Sequence, residues 1–238
     1  MYGEGEPLVL LHGGFHSIEM FGPVLPALAG RQVIGVDLQG HGRTLPFDRQ
    51  MSFANMATDV AELIKYLGFE KADVMGDSMG GSTALRLAID HPEVVDKLIL
   101  VSTPYAFSGW HEYNAQGMKQ IGAAPEQAAE QAAEGMKQTP FYQMYAAIAP
   151  APNNWTKLVA QVGEMLGKDY DWSDEVRQMK VPTMLVVGDW DAVRTSHTAK
   201  FFELLGGGLQ DAQWDGSGMN ANRLAILPGL THYTIFSR

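Results

Sequence analysis

The sequence predicts an α/β fold in which a mostly parallel sheet is flanked by helices. Short, continuous apolar runs alternate with helical patterns, as expected where helices connect buried parallel strands. A Gly-x-Ser-x-Gly motif at 76–80 follows one apolar run and precedes one helical pattern. The alternation stops between residues 104 and 179, and this interruption predicts a helical insertion.

The first half of the chain has the clearest strand and helix patterns. Each predicted strand is a short apolar run, bounded by turn-forming residues. Ser52 is a favourable N-cap for a helix whose apolar residues recur at helical spacing, and Gly68 ends that helix. The predicted strands here are 7–11, 32–36, 72–75 and 98–101, and the predicted helices are 17–28, 52–67 and 82–89.

The region from 104 to 179 lacks β-branched runs and is rich in Ala, Met and aromatic residues. It predicts a helical cap over the carboxyl edge of the sheet. We therefore predict a core domain of residues 1–103 and 180–238, with a cap of residues 104–179. The remaining predicted elements are helices at 126–137, 173–179 and 196–205 and strands at 181–187 and 223–227.

The composition restricts the classes of partner. The 238-residue chain is 46% hydrophobic and 18% charged, which suits one α/β domain with a full core. Its net charge of −10 repels phosphate backbones and anionic membranes, so neither nucleic acid nor a membrane is an expected partner. The absence of cysteine excludes disulfides and thiolate zinc sites. No signal peptide and no membrane-length apolar run are visible, so a cytoplasmic location is expected.

The Gly-x-Ser-x-Gly motif has the context of a nucleophile elbow, a sharp turn from strand to helix that exposes a serine. Glycine suits positions 76 and 80 because a Cβ there would crowd the departing helix. The backbone N–H of Met79 lies near the positive end of that helix, where it can donate to an oxyanion. We therefore predict Ser78 as the nucleophile.

A serine nucleophile needs a base, and the base needs an orienting acid. In this architecture the acid and then a histidine follow the serine along the chain. His232 sits in the loop directly after the last predicted strand, whereas His197 lies within a helix and is expected to face solvent. His232 is therefore the predicted base. Asp189 and Asp191 both follow a predicted strand, and Asp191 is better placed to reach His232.

The loop after the first strand can supply a second oxyanion donor. Gly14 is the predicted donor, with Phe15 as the alternative, because glycine lets the backbone approach a substrate closely. His12 is expected to make structural hydrogen bonds. His12 and His16 have the spacing of helical metal ligands, but a Gly-Gly loop is not a helix, so no metal and no cofactor are predicted.

Five segments carry motifs that occur together: Leu10-Leu11-His12-Gly13-Gly14, Asp37-Leu38-Gln39-Gly40-His41-Gly42-Arg43, Gly76-Asp77-Ser78-Met79-Gly80-Gly81, Gly188-Asp189-Trp190-Asp191 and Leu227-Pro228-Gly229-Leu230-Thr231-His232. In combination they resemble the α/β-hydrolase superfamily, in its capped, esterase-like branch. The resemblance implies that Asp191 is the acid and that Gly14 and Met79 supply the oxyanion hole. It counts against dehalogenase and epoxide hydrolase activities, in which the nucleophile is aspartate.

Both ends depart from the family pattern. Members usually carry a β-hairpin before the first strand and a helix after the histidine, whereas here Met1 to Glu6 precede the strand and six residues follow His232. The chain is thus expected to be either trimmed or a minimal member. Such ends leave a sheet edge and a core face uncovered, so a homo-oligomer is an expectation.

The expected function is hydrolysis of a small apolar or aromatic carboxylic ester through an acyl-enzyme. Lactonases, thioesterases and C–C bond hydrolases use the same triad, and a non-catalytic receptor would keep the fold without turnover. The residues predicted to line the substrate pocket are Phe15, Phe141, Tyr142 and Met144. The alternative for the cap residues is that they only hold the cap to the core.

Overall fold

A computed structural model describes residues 1–123 and 126–237 of the chain. Its strands are β1 (Glu6–Leu11), β2 (Arg31–Val36), β3 (Ala72–Asp77), β4 (Val95–Val101), β5 (Thr183–Trp190) and β6 (Arg223–Thr231). They form one six-stranded sheet in the order β2-β1-β3-β4-β5-β6, with every pair of neighbours parallel. This sheet confirms the predicted α/β fold.

Helices connect the strands on both faces of the sheet. The α-helices are α1 (Phe53–Tyr66), α2 (Ser78–Asp90), α3 (Glu112–Gly122), α4 (Glu126–Met136), α5 (Pro140–Ile148), α6 (Trp155–Leu166), α7 (Ser173–Gln178) and α8 (Thr195–Leu204). Short 3₁₀ helices cover Ile18–Leu28, Pro92–Val94, Phe107–Gly109 and Pro152–Asn154. The hydroxyl of Ser52 accepts a hydrogen bond from the backbone N–H of Asn55 at 3.1 Å, which caps α1 as predicted.

The hydrophobic core lies on both faces of the sheet. Along β1, Leu8 and Leu10 belong to a cluster with Phe21, while Val9 and Leu11 belong to the larger cluster on the opposite face. Successive strand side chains point to opposite faces, so a strand covered on both sides must be apolar at every position. This is why the strands read as continuous apolar runs.

The last strand corrects the sequence prediction, because β6 extends to Thr231 instead of ending at residue 227. Pro228 has no N–H to donate, and a proline is accommodated because β6 lies at the edge of the sheet. Gly229 follows with a φ of 72°, which favours glycine. The pairing register of β5 and β6 shifts at this point. The irregular end of β6 therefore places the next residue, His232, directly at the sheet's carboxyl edge.

The elements α3 to α7 lie between β4 and β5 in the chain, where the cap was expected. Trp155 on α6 is almost fully buried and donates from its indole N–H to the carbonyl of Ala133 on α4 at 2.9 Å. Tyr145, Trp155 and Val159 belong to the same buried hydrophobic cluster as the apolar side chains of α1 and α2. The helical segment thus shares its core with the sheet, and its division into a separate cap stays a prediction.

Candidate active site

The turn from β3 to α2 places Ser78 in a strained conformation. The strand ends at Asp77 and the helix begins at Ser78 without a loop, four residues earlier than predicted. Ser78 has a φ of 50°, a value that non-glycine residues rarely adopt. A Cβ on Gly76 would collide with the backbone of Gly80, and one on Gly80 with the carbonyls at the end of β1. The glycines thus permit the tight packing that supports the strained serine.

The structure brings Ser78, His232 and Asp191 together, although they come from three separate parts of the chain. The Nε2 of His232 lies 3.0 Å from the Oγ of Ser78, and its Nδ1 lies 2.7 Å from Oδ1 of Asp191. Nδ1 carries the proton in this arrangement because a carboxylate can only accept. Nε2 is then free to accept the serine proton.

Asp191 accepts hydrogen bonds from other groups besides His232. Its Oδ2 accepts a hydrogen bond of 2.6 Å from the hydroxyl of Ser102, and its Oδ1 accepts one of 3.0 Å from the N–H of Val193. Burial disfavours the carboxylate, but the bonds and charge from His232, with those from Ser102 and Val193, outweigh it and lower the pKa of Asp191. Ser102, with a φ of 51°, is a residue that the sequence analysis missed.

The pKa of His232 is shifted in the opposite direction to that of Asp191. Burial disfavours its charged form, yet the hydrogen bond to Asp191 and the charges of Asp191 and Asp77 prevail, so the pKa of His232 is raised. The indole of Trp110 packs edge-on against the imidazole, with ring centroids 5.5 Å apart. The imidazole ring is therefore held by the carboxylate of Asp191 and by the indole ring of Trp110.

The other histidine and aspartate that were considered have structural places. His197 is only 8% exposed, so the expectation that it faces solvent is wrong. Its ring stacks on Tyr105 at 3.9 Å, and its Nε2 accepts the Tyr105 N–H at 3.2 Å, which explains the burial. Asp189 accepts the N–H of Gly229 at 2.8 Å and so fastens the irregular end of β6.

The two expected oxyanion donors flank the serine. Met79 is the second residue of α2, and the first N–H groups of a helix have no partner within it. Gly14 lies in the loop after β1, which is the neighbour of β3 in the sheet. Within residues 1–123 and 126–237, neither N–H has a hydrogen-bond acceptor. His12 anchors this loop through Nε2, which accepts the N–H of Leu38 at 3.0 Å.

A cavity of about 700 Å³ opens above the serine, between the sheet and the helical segment. Phe15, Phe141 and Met144 line it, as predicted, but Tyr142 does not. Phe141 and Met144 are three residues apart on α5 and share a helix face, whereas Tyr142 lies about 100° around the helix from Phe141. Tyr142 packs against Trp155 instead, with ring centroids 5.4 Å apart. Other apolar lining residues include Met20, Trp110, Met118, Met136 and Leu166.

Two polar residues that the sequence analysis did not assign also line the cavity. His16 contacts Phe141 edge-on at 4.9 Å, and its Nδ1 lies 3.2 Å from the carbonyl of Gly14. Asp77, beside the nucleophile, is 4% exposed, and its Oδ1 has no partner among the described residues. Burial raises the pKa of Asp77 to about 7. The charge of His232 opposes this shift, and the charge of Asp191 reinforces it.

Across the described ranges, no group of three or more His, Cys, Asp or Glu side chains has the arrangement of a metal site. Within the same ranges, none of the helices has both the length and the apolar character needed to cross a membrane.

Comparison with known proteins agrees with this architecture. The profile of the family described as "alpha/beta hydrolase fold" matches residues 6–217, which includes Ser78 and Asp191 and ends before His232. A 2-hydroxy-6-oxo-6-(2'-aminophenyl)hexa-2,4-dienoic acid hydrolase of Metapseudomonas resinovorans is 28% identical over 218 residues, covering 85% of this chain and 74% of the relative. An sn-1-specific diacylglycerol lipase of Danio rerio is 32% identical over half of this chain but only 39% of its own length.

Among solved structures, the fold is similar to that of an esterase from Exiguobacterium antarcticum. The TM-score is 0.71 at 21% identity, with 98% of this chain and 87% of the esterase covered. At that identity the likeness shows the fold alone. The relatives matched by sequence are hydrolases, and the family profile spans most of the chain. The chain belongs to the alpha/beta hydrolase fold family.

Proposed function

We propose that this chain is a serine hydrolase that cleaves a neutral carboxylic ester through an acyl-enzyme intermediate. The observation that carries the proposal is the hydrogen-bonded series Ser78–His232–Asp191 at the base of a largely apolar cavity. A serine, a neutral imidazole and a buried carboxylate in this order are the components of acyl transfer.

The reaction proceeds in two halves. His232 Nε2 takes the proton of Ser78 as its Oγ bonds to the carbonyl carbon, and the resulting oxyanion accepts hydrogen bonds from the N–H groups of Gly14 and Met79. The histidine then gives the proton to the departing alcohol, leaving the acyl-enzyme. Water, deprotonated by the same imidazole, attacks the acyl carbon and releases the acid and Ser78. Asp191 stabilises the imidazolium formed in each half.

The charges around the cavity favour a neutral substrate. Among the described residues that line it, none is lysine or arginine, whereas Glu19 and Asp77 are acidic. A substrate carboxylate would therefore be buried without a cationic partner, which is costly. The Metapseudomonas relative is named as the hydrolase of a dienoic acid, so an acidic substrate of that kind is the main alternative from the comparisons. The lack of lysine and arginine among the described lining residues supports a neutral ester instead.

The test is a matched pair of methyl esters, dimethyl glutarate and monomethyl glutarate, which differ only in a free carboxylate. We expect kcat/KM for the diester to exceed that for the half-ester by more than roughly tenfold, because of the unpaired charge. Ser78→Ala serves as the inactive control. Preference for the half-ester would contradict a neutral substrate, and absence of turnover with esters, thioesters and lactones would indicate a non-catalytic receptor.

A further inference from the structure

Two polar side chains at the cavity floor have no role in acyl transfer as described above. His16 follows β1, which adjoins β3 on the side away from β4, β5 and β6. Asp191 and His232 come from that other side, at the ends of β5 and β6. Ser78 therefore has one histidine and one carboxylate on its catalytic side, and a second histidine with a second carboxylate, Asp77, near the β1 loop.

Gly13 is the point where these groups converge. A Cβ built on Gly13 would lie 2.7 Å from Oδ2 of Asp77, 3.5 Å from Cβ of Ser78 and 3.6 Å from Nδ1 of His16. The three side chains thus surround one glycine, and no larger residue fits there without displacing the Asp77 carboxyl. The absent side chain leaves the polar groups directly beside the reacting serine.

The hydrogen bonds of His16 define which of its nitrogens can meet a substrate. The carbonyl of Gly14 can only accept, so Nδ1 of His16 donates to it and carries the proton of the neutral ring. Burial lowers the pKa of His16, with the Gly14 carbonyl opposing and nearby His232 reinforcing the shift, so the ring is neutral at pH 7. Nε2 is then a hydrogen-bond acceptor in a ring that lines the cavity.

Asp77 supplies the second polar group. Its carboxyl is almost fully buried, and Oδ1 is left without a partner among the described residues. Burial raises the pKa of this carboxyl to about 7, so near neutral pH it is partly protonated and can donate as well as accept a hydrogen bond. The described lining is mostly apolar but includes other polar residues such as Glu19, so it is the contacts around Gly13 that identify His16 and Asp77 as a polar pair beside Ser78.

We propose that His16 and Asp77 form a subsite for a hydroxyl group that the ester substrate carries close to its scissile carbonyl. The inference rests on the proposed ester hydrolysis and names its substrate class, an ester of a hydroxy acid or of a diol. The hydroxyl donates its single proton to His16 Nε2, and its oxygen accepts a hydrogen bond from the protonated Asp77 carboxyl, while Ser78 attacks the neighbouring carbonyl. Phe141, edge-on to His16, holds the imidazole ring at the edge of this subsite.

The experiment uses two substrate pairs that differ by one hydroxyl. Methyl 3-hydroxybutyrate with methyl butyrate places the hydroxyl on the acyl side, and 2-hydroxyethyl butyrate with ethyl butyrate places it on the alcohol side. In one of the pairs we expect a lower KM for the hydroxylated ester. We further expect His16→Phe, which keeps an aromatic ring against Phe141, to reduce that pair's ratio of kcat/KM values roughly tenfold, the worth of one buried hydrogen bond. Asp77→Leu should act in the same direction.

His111→Phe is the matched control, since His111 is an exposed histidine outside the cavity lining and its substitution should leave both ratios unchanged. Labelling of Ser78 by a fluorophosphonate verifies that each variant is folded with a competent nucleophile. The KM comparison is made on the wild-type protein and does not depend on any variant folding. The subsite is refuted if neither hydroxylated ester has a lower KM than its plain counterpart. Turnover of the plain esters without a hydroxyl preference would overturn the subsite alone, whereas absence of turnover and labelling would overturn the proposed ester hydrolysis.

Discussion

On the sheet side of the cavity, hydrogen bonds of 3.0 and 2.7 Å join Ser78, His232 and Asp191. On the cap side, Phe141 lies against Phe15 and His16 through ring contacts at 6.3 and 4.9 Å. Hydrogen bonds require specific atoms at specific angles, whereas ring contacts tolerate changes of shape. We therefore expect the sheet side to determine whether the reaction occurs and the side formed by the helical segment, the predicted cap, to determine which substrate reacts.

The largest effect should follow from removing the nucleophile. Ser78→Ala deletes the attacking oxygen, and members of such a triad act as a unit, so kcat should fall by up to about a millionfold. The variant should keep the parent's circular dichroism, because the alanine replaces only one hydroxyl. Fluorophosphonate labelling should vanish with the activity. A kcat within tenfold of the parent would show that another residue is the nucleophile.

The two aspartates near the end of β5 provide the next test of the sheet side. Asp191→Asn removes the acceptor that fixes the His232 tautomer, an effect of up to roughly 10⁴ in kcat. Asp189→Asn is the matched control, since Asp189 is exposed and contacts only the backbone of Gly229 among its described hydrogen-bond partners. If the two losses were reversed, Asp189 would be the acid and the observed geometry would not be the reactive one.

The cap side should respond by changing substrate ratios. Phe141→Ala and Met144→Ala each remove a hydrophobic lining group, and such a contact is worth about 1–3 kcal/mol, a roughly 10- to 200-fold change between short and long acyl esters. Tyr142→Ala is the matched control, because Tyr142 lies on the same helix but faces Trp155. Equal changes for all esters would mean that Phe141 and Met144 only hold the cap in place.

The pH profile tests the imidazole itself. A neutral His232 is required, so kcat/KM should fall about tenfold per pH unit below its pKa. Since the pKa of His232 is raised, the midpoint should lie above the ordinary 6.5, and Asp77→Asn, which removes one of the charges that raise it, should move the midpoint down. His111→Gln should leave the midpoint in place. A rate independent of pH from 5 to 8 would contradict this mechanism.

The sequence predicts the fold. It also predicts Ser78, Asp191 and His232 as catalytic residues, because each follows the end of an apolar run. The carboxyl ends of parallel strands meet at one edge of the sheet, so position in the chain is enough to place such residues together. Side-chain environments are harder to predict. His197 lies in a helix with polar neighbours in sequence, and its burial depends on distant segments that pack against its ring, including Tyr105 and Gly109.

The residues that the sequence analysis missed depend on contacts between distant segments. Ser102 and Asp191 are 89 residues apart, and no local pattern indicates that they meet. The error at Tyr142 has a different origin, since Tyr142 lies about 100° around α5 from Phe141, on a face that packs against Trp155. Helical spacing alone separates Phe141 and Met144 from Tyr142, once α5 is known to run along the cavity.

The smallest predicted effect concerns the support of the acid. The Ser102 hydroxyl donates to Asp191 Oδ2 at 2.6 Å, and without it the remaining described donor to that oxygen is the N–H of Gly188 at 3.4 Å. A hydrogen bond to a charged group contributes about 1.5 kcal/mol, so Ser102→Ala should lower kcat roughly tenfold with little change in KM.

Ser102→Gly removes the same bond but also suits the positive φ of 51°. Because glycine relieves the strain, Ser102→Gly should unfold at a higher temperature than Ser102→Ala, while both should show the same loss of kcat. Equal melting temperatures with a full kcat in both variants would mean that neither the strain nor the hydroxyl contributes, and that His232, Val193 and Gly188 are enough to hold Asp191 in place.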